Sequence, residues 1–444
     1  MKKIFLSISI AAAVFGFTSC YDAIFYNIRN EVPLEDGVIN GYTNSIVRYQ
    51  EPDGTEFLYL QNGNVYYKQI SDDKDKKILT KNQDHDKWTK DSSAPEGISY
   101  SYFDQEFSGT YSCKLASDSK YVYLLGATPE YDESSSRNIL KNFKLYCYSK
   151  ENGWKSVDAV NTILKQYEST LDEDKYMMDS SIQLFCTNTP QNAHRKAYIR
   201  IGGGSPYYSW MSDKQTYGSD FTVKDGVMNC GIIELNGTDT DIANVVPLGD
   251  GKIGTLEKTG AGKDTTSAVY ANGKVYFLDY LASSTNETKN KEADYIYLGN
   301  GKTLYWFETA SVSSVTALDA EPVGKSTGCA ADILSMCVTN DSIILGTYEE
   351  GAYHVKTDSG KPETEASTSF PTKNANSVMC KPYIVRMLFC TDPSLGETAD
   401  GSALYSALQF RYTESSASAS YKNVGLWSYY KSKENGHRNN WNKE

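Results

Sequence analysis

One ordered pattern returns six times along this chain. A serine opens an apolar, strand-like run, a polar turn follows, and a second apolar run closes the unit. Ser45-Ile46-Val47 leads through Pro52-Asp53-Gly54 to Phe57-Leu58-Tyr59-Leu60. Ser112-Cys113 leads through Asp118-Ser119-Lys120 to Tyr121-Val122-Tyr123-Leu124. Ser181-Ile182-Gln183-Leu184-Phe185-Cys186 leads to Tyr198-Ile199-Arg200-Ile201. Ser267-Ala268-Val269-Tyr270 leads through Asn272-Gly273-Lys274 to Val275-Tyr276-Phe277-Leu278. Ser335-Met336-Cys337-Val338 leads to Ile343-Ile344-Leu345, and Ser377-Val378-Met379-Cys380 leads to the run Tyr383 to Phe389. A unit that recurs in fixed order cannot bury its apolar face alone and is stacked on its copies. The opening serines stand 42 to 86 residues apart. The shortest interval fits a propeller blade of about 40–50 residues, and the longer ones imply insertions. Three polar stretches read as such insertions: Pro129 to Asn142, Ser283 to Asp294 and Thr391 to Gly401.

Two further signals fit strands joined by tight turns. A glycine precedes an aromatic run at Gly63-Asn64-Val65-Tyr66-Tyr67, Gly301-Lys302-Thr303-Leu304-Tyr305-Trp306, Gly351-Ala352-Tyr353 and Gly425-Leu426-Trp427, with Gly231-Ile232-Ile233 an aliphatic variant. The pentapeptide Ser-Lys-Glu-Asn-Gly occurs at Ser149 to Gly153 and again at Ser432 to Gly436. Both copies follow an aromatic run, and Asn-Gly reads as a hairpin turn in which both residues supply positive φ. Tyr is abundant, at 35 residues, and favours strands. The best helical stretch is Val157 to Tyr167, where Val157, Val160, Ile163 and Leu164 fall near helical spacing. The expected fold is all-β: a single β-propeller of four-stranded blades, six with seven as the alternative, carrying polar loop insertions over residues 45–444. Two β-sandwich domains are the competing arrangement.

The first twenty residues carry an address. Lys2 and Lys3 precede an apolar run from Ile4 to Phe17, and Thr18-Ser19 lead directly to Cys20. A positive start, a short apolar core and a small-residue end make an export signal. The cysteine after the small pair resembles a lipobox. The expected organisation is a lipoprotein signal peptide over 1–19, a lipidated tether over 20–44 with Cys20 as the acylated residue, and the propeller beyond. The apolar run is short for a spanning helix, which needs about 20 residues.

Composition excludes some partners. The net charge of −12 leaves no basic face for nucleic acid. Beyond Cys20, eight cysteines remain: Cys113, Cys147, Cys186, Cys230, Cys329, Cys337, Cys380 and Cys390. Most lie in apolar runs, where a cysteine acts as a small buried hydrophobe, so mostly free thiols are expected. No metal, cofactor or catalytic set is assigned. His85, His194, His354 and His437 form no ligand pair, and no CxxC is present. Gly249 to Gly254 matches GxGxxG without the following helix. Gly299-Asn300-Gly301-Lys302-Thr303 reads as a hairpin turn, and Asp239 with Asp241 as a solvated acidic turn.

The lipobox, Phe25-Tyr26-Asn27-Ile28, Glu31-Val32-Pro33-Leu34-Glu35 and the Gly-x-Leu-Tyr strands resemble the propeller lipoproteins of spirochaetes. That resemblance implies an address and a fold but no reaction. The Ser-Lys-Glu-Asn-Gly turns resemble a degraded Asp-box of sialidase-like propellers, with Glu151 and Glu434 in place of Asp. An Asp-box is a structural turn, so it implies no enzyme. Two functions follow as expectations. The first is a lipid-anchored module of the bacterial cell envelope, attached to the membrane through its lipid, that binds a protein or saccharide partner at its loop face or funnel. The alternative is a glycan-acting hydrolase or lyase of sialidase-like type, in which Arg48, Arg200, Arg386 and Arg411 converge on the funnel. Assembly of outer-membrane proteins is a variant of the first.

Overall fold

The computed structural model describes residues 39, 43–70, 88–98, 114–133, 137–169, 175–176, 182–186, 195–201, 207–208, 231–237, 243–247, 276–278, 295–300, 303–308, 321–322, 329–331, 333–339, 342–348, 350–358, 361–362, 383–391, 403–409, 425–430 and 440–444. One unit runs from Val38 to Asn442 and takes in Glu444; of the other, residues 1–37 with Lys443, only Lys443 is described. Cys20 and the signal segment lie outside the described residues.

Among the described residues six four-stranded sheets form, each following chain order. The first takes β1 (Ser45–Gln50), β2 (Glu56–Gln61), β3 (Val65–Gln69) and β4 (Thr89–Lys90). The second takes β5 (Leu115–Ser117), β6 (Val122–Asp132), β7 (Arg137–Ser149) and β8 (Gly153–Ser156). A small pair joins β9 (Lys175–Tyr176) to β12 (Tyr207–Tyr208). The third sheet takes β10 (Ile182–Cys186), β11 (Ala197–Ile201), β13 (Gly231–Leu235) and β14 (Ala243–Pro247). The fourth takes β15 (Tyr276–Leu278), β16 (Tyr295–Asn300), β17 (Thr303–Glu308) and β18 (Glu321–Pro322). The fifth takes β19 (Ile333–Val338), β20 (Ser342–Thr347), β21 (Ala352–Asp358) and β22 (Lys361–Pro362). The sixth takes β23 (Ile384–Cys390), β24 (Ala403–Gln409), β25 (Gly425–Tyr430) and β26 (Asn440–Lys443). The fold is therefore mostly β, in antiparallel meanders.

First strands succeed one another in space. β1 lies beside β5, β5 beside β10, β10 beside β15, β15 beside β19, and β19 beside β23, while β23 lies beside β1. Apolar clusters fill several of the junctions. Val47, Tyr49, Leu115, Val122 and Leu124 join the first and second sheets. Ala116, Tyr123, Leu145, Ile182, Leu184, Ile199 and Ile233 join the second and third. Cys337, Ile344, Val385, Leu388 and Leu404 join the fifth and sixth, and Ile46, Leu58, Phe389, Tyr405 and Leu426 join the sixth to the first. Strands covered on both faces lose the alternation of a half-buried strand. Every residue of β20 and β23 is buried.

The helix occupies Asp158–Ser169, as the spacing of Val157, Val160 and Leu164 predicts, and all three are buried. Asn161 fastens it to β7: its Oδ1 accepts from the Leu145 amide at 2.7 Å, and its Nδ2 donates to the Leu145 carbonyl at 3.1 Å. The glycine-before-aromatic pattern marks third strands: β3, β13, β17, β21 and β25. Gly351 and Gly425 turn into them at φ 73° and 121°, where a Cβ would be strained.

Three expectations need correction. In the fourth and sixth units the second apolar run, not the first, supplies the leading strand: β15 pairs with β16, and β23 with β24. Ser267 to Tyr270 and Ser377 to Cys380 lie outside the described residues. An apolar run identifies a strand but not its rank in a sheet, because first and second strands are both largely buried. The stretch Pro129 to Asn142 is largely hairpin rather than loop, since Thr128 to Asp132 pair with Lys141 to Arg137. Cross-strand bonding there needs no apolar side chains, so composition hides it. Ser283 to Asp294 lies outside the described residues, as does Thr391 to Gly401 beyond Thr391. The third correction concerns the Ser149 to Gly153 turn. Only Gly153 has positive φ, at 64°, and Asn152 instead donates its amide N–H and its side chain to Ser149 Oγ.

The junction of sixth and first sheets carries a carboxylate whose side chain is only 12% exposed. Glu444 accepts from Lys68 Nζ at 3.1 Å, Trp88 Nε1 at 3.0 Å and the Ser428 hydroxyl. Its amide donates to the Leu426 carbonyl. Burial works to raise its pKa, but Lys68 and the three hydrogen bonds outweigh it and hold the carboxyl below its ordinary 4.5. A depressed folded pKa contributes stability that is whole above about pH 4.5 and is lost as pH falls through the folded value. Glu444→Gln leaves Lys68 buried without its counter-charge and should cost about 3 kcal/mol in urea unfolding at pH 7. The loss should shrink on titration below pH 4.5, giving the variant a flatter acid limb than the parent chain.

Candidate functional site

Meander topology puts first-to-second and third-to-fourth turns at the same end of each sheet. At that end, between the first and second sheets, lies an open groove of about 370 Å³. Its walls are the β1–β2 turn, the β5–β6 turn and the β7–β8 turn, with Tyr49 beneath. The last of these is the first Ser-Lys-Glu-Asn-Gly copy; the second lies outside the described residues.

Each wall is shaped locally. Asp53 Oδ1 accepts from the Thr55 amide at 2.9 Å and closes the β1–β2 turn. Asp118 Oδ1 accepts from the amides of Lys120 and Tyr121, both at 2.7 Å, and Oδ2 accepts from the Tyr123 hydroxyl. These are turns in which a short acidic side chain bonds the backbone two residues on. Burial raises the Asp118 pKa against those three bonds and also pushes the Tyr123 hydroxyl up. Across the groove Lys150 Nζ meets Glu51 Oε2 at 2.7 Å, and the hydrogen bond to Glu51 raises the lysine pKa. The Tyr49 hydroxyl, pushed up to about 12 by burial, accepts from the Lys150 backbone. Beneath, Tyr49, Tyr59, Tyr148 and Trp154 pack with centroids 5.3 to 6.1 Å apart, and Trp154 Nε1 donates to Asp91 at 2.9 Å. Tyr121 is pinned from the third sheet, because a Cβ on Gly237 would stand 2.1 Å from its ring.

A buried charge cluster lies at the same turn end. Arg48 Nη2 and Arg195 Nη2 reach the two oxygens of Glu56 at 2.6 and 2.8 Å, and Arg48 Nη1 donates to the Thr391 carbonyl at 2.6 Å. Three sheets meet here: Arg48 and Glu56 belong to the first, Arg195 precedes β11 of the third, and Thr391 follows β23 of the sixth. Burial opposes ionisation of Glu56, but the two guanidiniums outweigh it and depress its pKa. Burial and the Arg48 charge lower the pKa of Arg195.

Of the arginines expected to converge, Arg48 and Arg386 are buried; the Arg200 side chain and Arg411 lie outside the described residues. Arg48 meets Arg195, which no sequence pattern singles out: it precedes its strand and stands 139 residues from Glu56. Cys147, Cys329, Cys337 and Cys390 are buried, as small apolar side chains in strands are, and Cys186 is partly buried. Asn300 pairs with Thr303 where β16 meets β17; Gly301 and Lys302 lie outside the described residues. Asp239, Asp241, Gly249 to Gly254 and three of the histidines lie outside the described residues. Among the described residues no group of three or more His, Cys, Asp or Glu could hold a metal ion, and no helix is long and apolar enough to cross a membrane.

No family model matches the chain, and no curated protein sequence matches it. Among solved structures it is similar to BBS1N in its complex with ARL6DN, at 10% identity over 88% of this chain and 79% of that one, TM-score 0.37. AofleA from Arthrobotrys oligospora is similar at 9% identity over 87% and 82%, TM-score 0.37. An ancestral GH74 enzyme is similar at 12% identity over 90% and 42%, TM-score 0.28. Scores this low carry no argument about function.

Glu56 is the hub of the charge cluster, so its loss leaves two buried guanidiniums facing each other. Glu56→Gln should destabilise the chain by about 3–5 kcal/mol in urea unfolding. Adding Arg195→Met should recover part of that loss, and a double-mutant cycle reads the coupling directly.

Proposed function

We propose that the six sheets close into one six-bladed β-propeller, held at the bacterial cell envelope through lipid on Cys20, and that this disc is a binding scaffold for a protein or saccharide partner. The observation that carries the reading is the succession of first strands, which returns from β23 to β1. Each sheet then has a neighbour on both sides, which leaves only short protected edges. Apolar clusters at the sheet junctions and the Glu444 contacts between sixth and first sheets support the same closure. A rigid ring displays its turns on a stable frame, where binding residues are usually placed. The groove between first and second sheets is such a display.

The envelope address rests on the sequence alone: an export signal over residues 1–19, Cys20 directly after it, and motifs that resemble those of spirochaete propeller lipoproteins. Each buried acyl methylene contributes about 0.8 kcal/mol, so two or more chains anchor durably. A glycan-cleaving reading has less support, since Arg48 and Arg195 are both engaged with Glu56 rather than open to a substrate carboxylate.

The test is Cys20→Ser in the full chain. Labelled palmitate should no longer be incorporated, and the protein should move from the membrane to the soluble fraction. Normal labelling and membrane recovery of the variant would overturn the tether.

A further inference from the structure

We propose that the groove between the first and second sheets takes a short, uncharged saccharide. This rests on the binding-module reading and gives it a place and a ligand class. Its volume of about 370 Å³ lies in the range of small-molecule sites, about 300–1,000 Å³.

Charge is the first discriminator. Two acids, Glu51 and Glu151, line the groove with two bases, Lys120 and Lys150. These four charges cancel, and Asp53 of the β1–β2 turn adds only a weak negative bias beside Lys150, so the groove does not concentrate anions. A phosphorylated or strongly charged peptide would gain from one pair of side chains and lose to the other. Sugar hydroxyls both donate and accept, and carboxylates beside ammonium groups offer both kinds of partner within one small space.

The second discriminator is the surface beneath. Tyr121 supplies an amphipathic ring to the groove. Such rings present apolar area with little entropy to lose on binding. Its ring is fixed from the far side by the Gly237 backbone, and its turn by Asp118. The opposite wall is fixed through Lys150, which bonds Glu51 by its side chain and Tyr49 by its backbone. Walls already held in place lower the ordering cost of binding, which matters most for weakly held, hydroxyl-rich ligands.

The test is calorimetric titration of the full-length protein in detergent with neutral di- and trisaccharides of glucose, galactose and N-acetylglucosamine. Sialyllactose, a digalacturonate and acidic and basic hexapeptides serve as charged comparators. Saturable binding of at least one neutral sugar is expected, tighter than that of any charged comparator. Tyr121→Ala and Lys120→Ala should each weaken it about tenfold or more, roughly the loss of 1.4 kcal/mol. Lys120 is exposed, so its variant reports on binding even if the Tyr121 variant unfolds. Three outcomes would overturn the proposal: no neutral sugar binds, a charged comparator binds more tightly, or sugar binding survives both substitutions. None of them touches the tether, which the Cys20 experiment decides separately.

Discussion

Among the described residues each first strand pairs on one edge only, and β1, β5 and β23 are buried almost throughout. Buried backbone N–H and C=O groups must find partners, so each bare edge needs a donor or acceptor small enough to let two strands approach. Serine meets that need. Ser45 Oγ accepts from the amides of Lys114 and Leu115, at 3.1 and 2.7 Å, and so ties β1 to β5. Ser117 returns the favour by donating its hydroxyl to the Arg48 carbonyl. Ser335 donates to the Val385 carbonyl at 2.7 Å, tying β19 to β23. Space there is so short that a Cβ on Gly346 would meet Ser335 Oγ at 2.2 Å. At these two junctions the hydroxyls lower the cost of the bare edge, and the apolar residues of the same strands pack beside them.

The junction of sixth and first sheets is handled differently. Apolar residues fill it too, but charged groups stand at its inner and outer margins. Arg48 spans it near the first strands, through the Thr391 carbonyl, and Glu444 spans it farther out, through Lys68 and Trp88. Buried ion pairs contribute little net stability, because desolvation offsets most of the attraction. What they supply is discrimination: an apolar edge accepts any apolar neighbour, whereas Glu444 is satisfied only where Lys68, Trp88 and Ser428 converge.

Much of this was legible in advance, for reasons that particular residues make clear. Ser45 and Ser335 recur because the edge chemistry recurs, so the repeat is visible without any structure. Gly351 and Gly425 are legible as strand openers because positive φ restricts the residue type. Strand rank was not legible. Val275 to Leu278 follows an apolar run and an Asn-Gly turn and so looks like the second arm of a hairpin, yet β15 leads its sheet. Arg195 and Glu56 were invisible as partners, since neither stands in a motif and only the folded chain brings them within 2.8 Å. The groove has no signature in the sequence because its walls come from three separate turns, each of which reads as a solvated loop.

That groove is not a general consequence of the architecture. At two junctions the third-to-fourth turn of one sheet meets the first-to-second turn of the sheet before it. Between second and third sheets the leaning turn carries Gly237, whose backbone comes down onto the Tyr121 ring, while Cys147 donates to the Gly237 carbonyl at 3.1 Å. Backbone meets side chain there and the gap closes. Between first and second sheets the leaning turn carries Lys150 and Asn152, and the long Lys150–Glu51 pair spans the gap instead of filling it. One junction therefore stays open while the next is shut by a glycine, and the closed junction stiffens the open one, because Tyr121 belongs to both. A site that exists through such a local departure from its own repeat depends on the residues at two turns rather than on the ring as a whole.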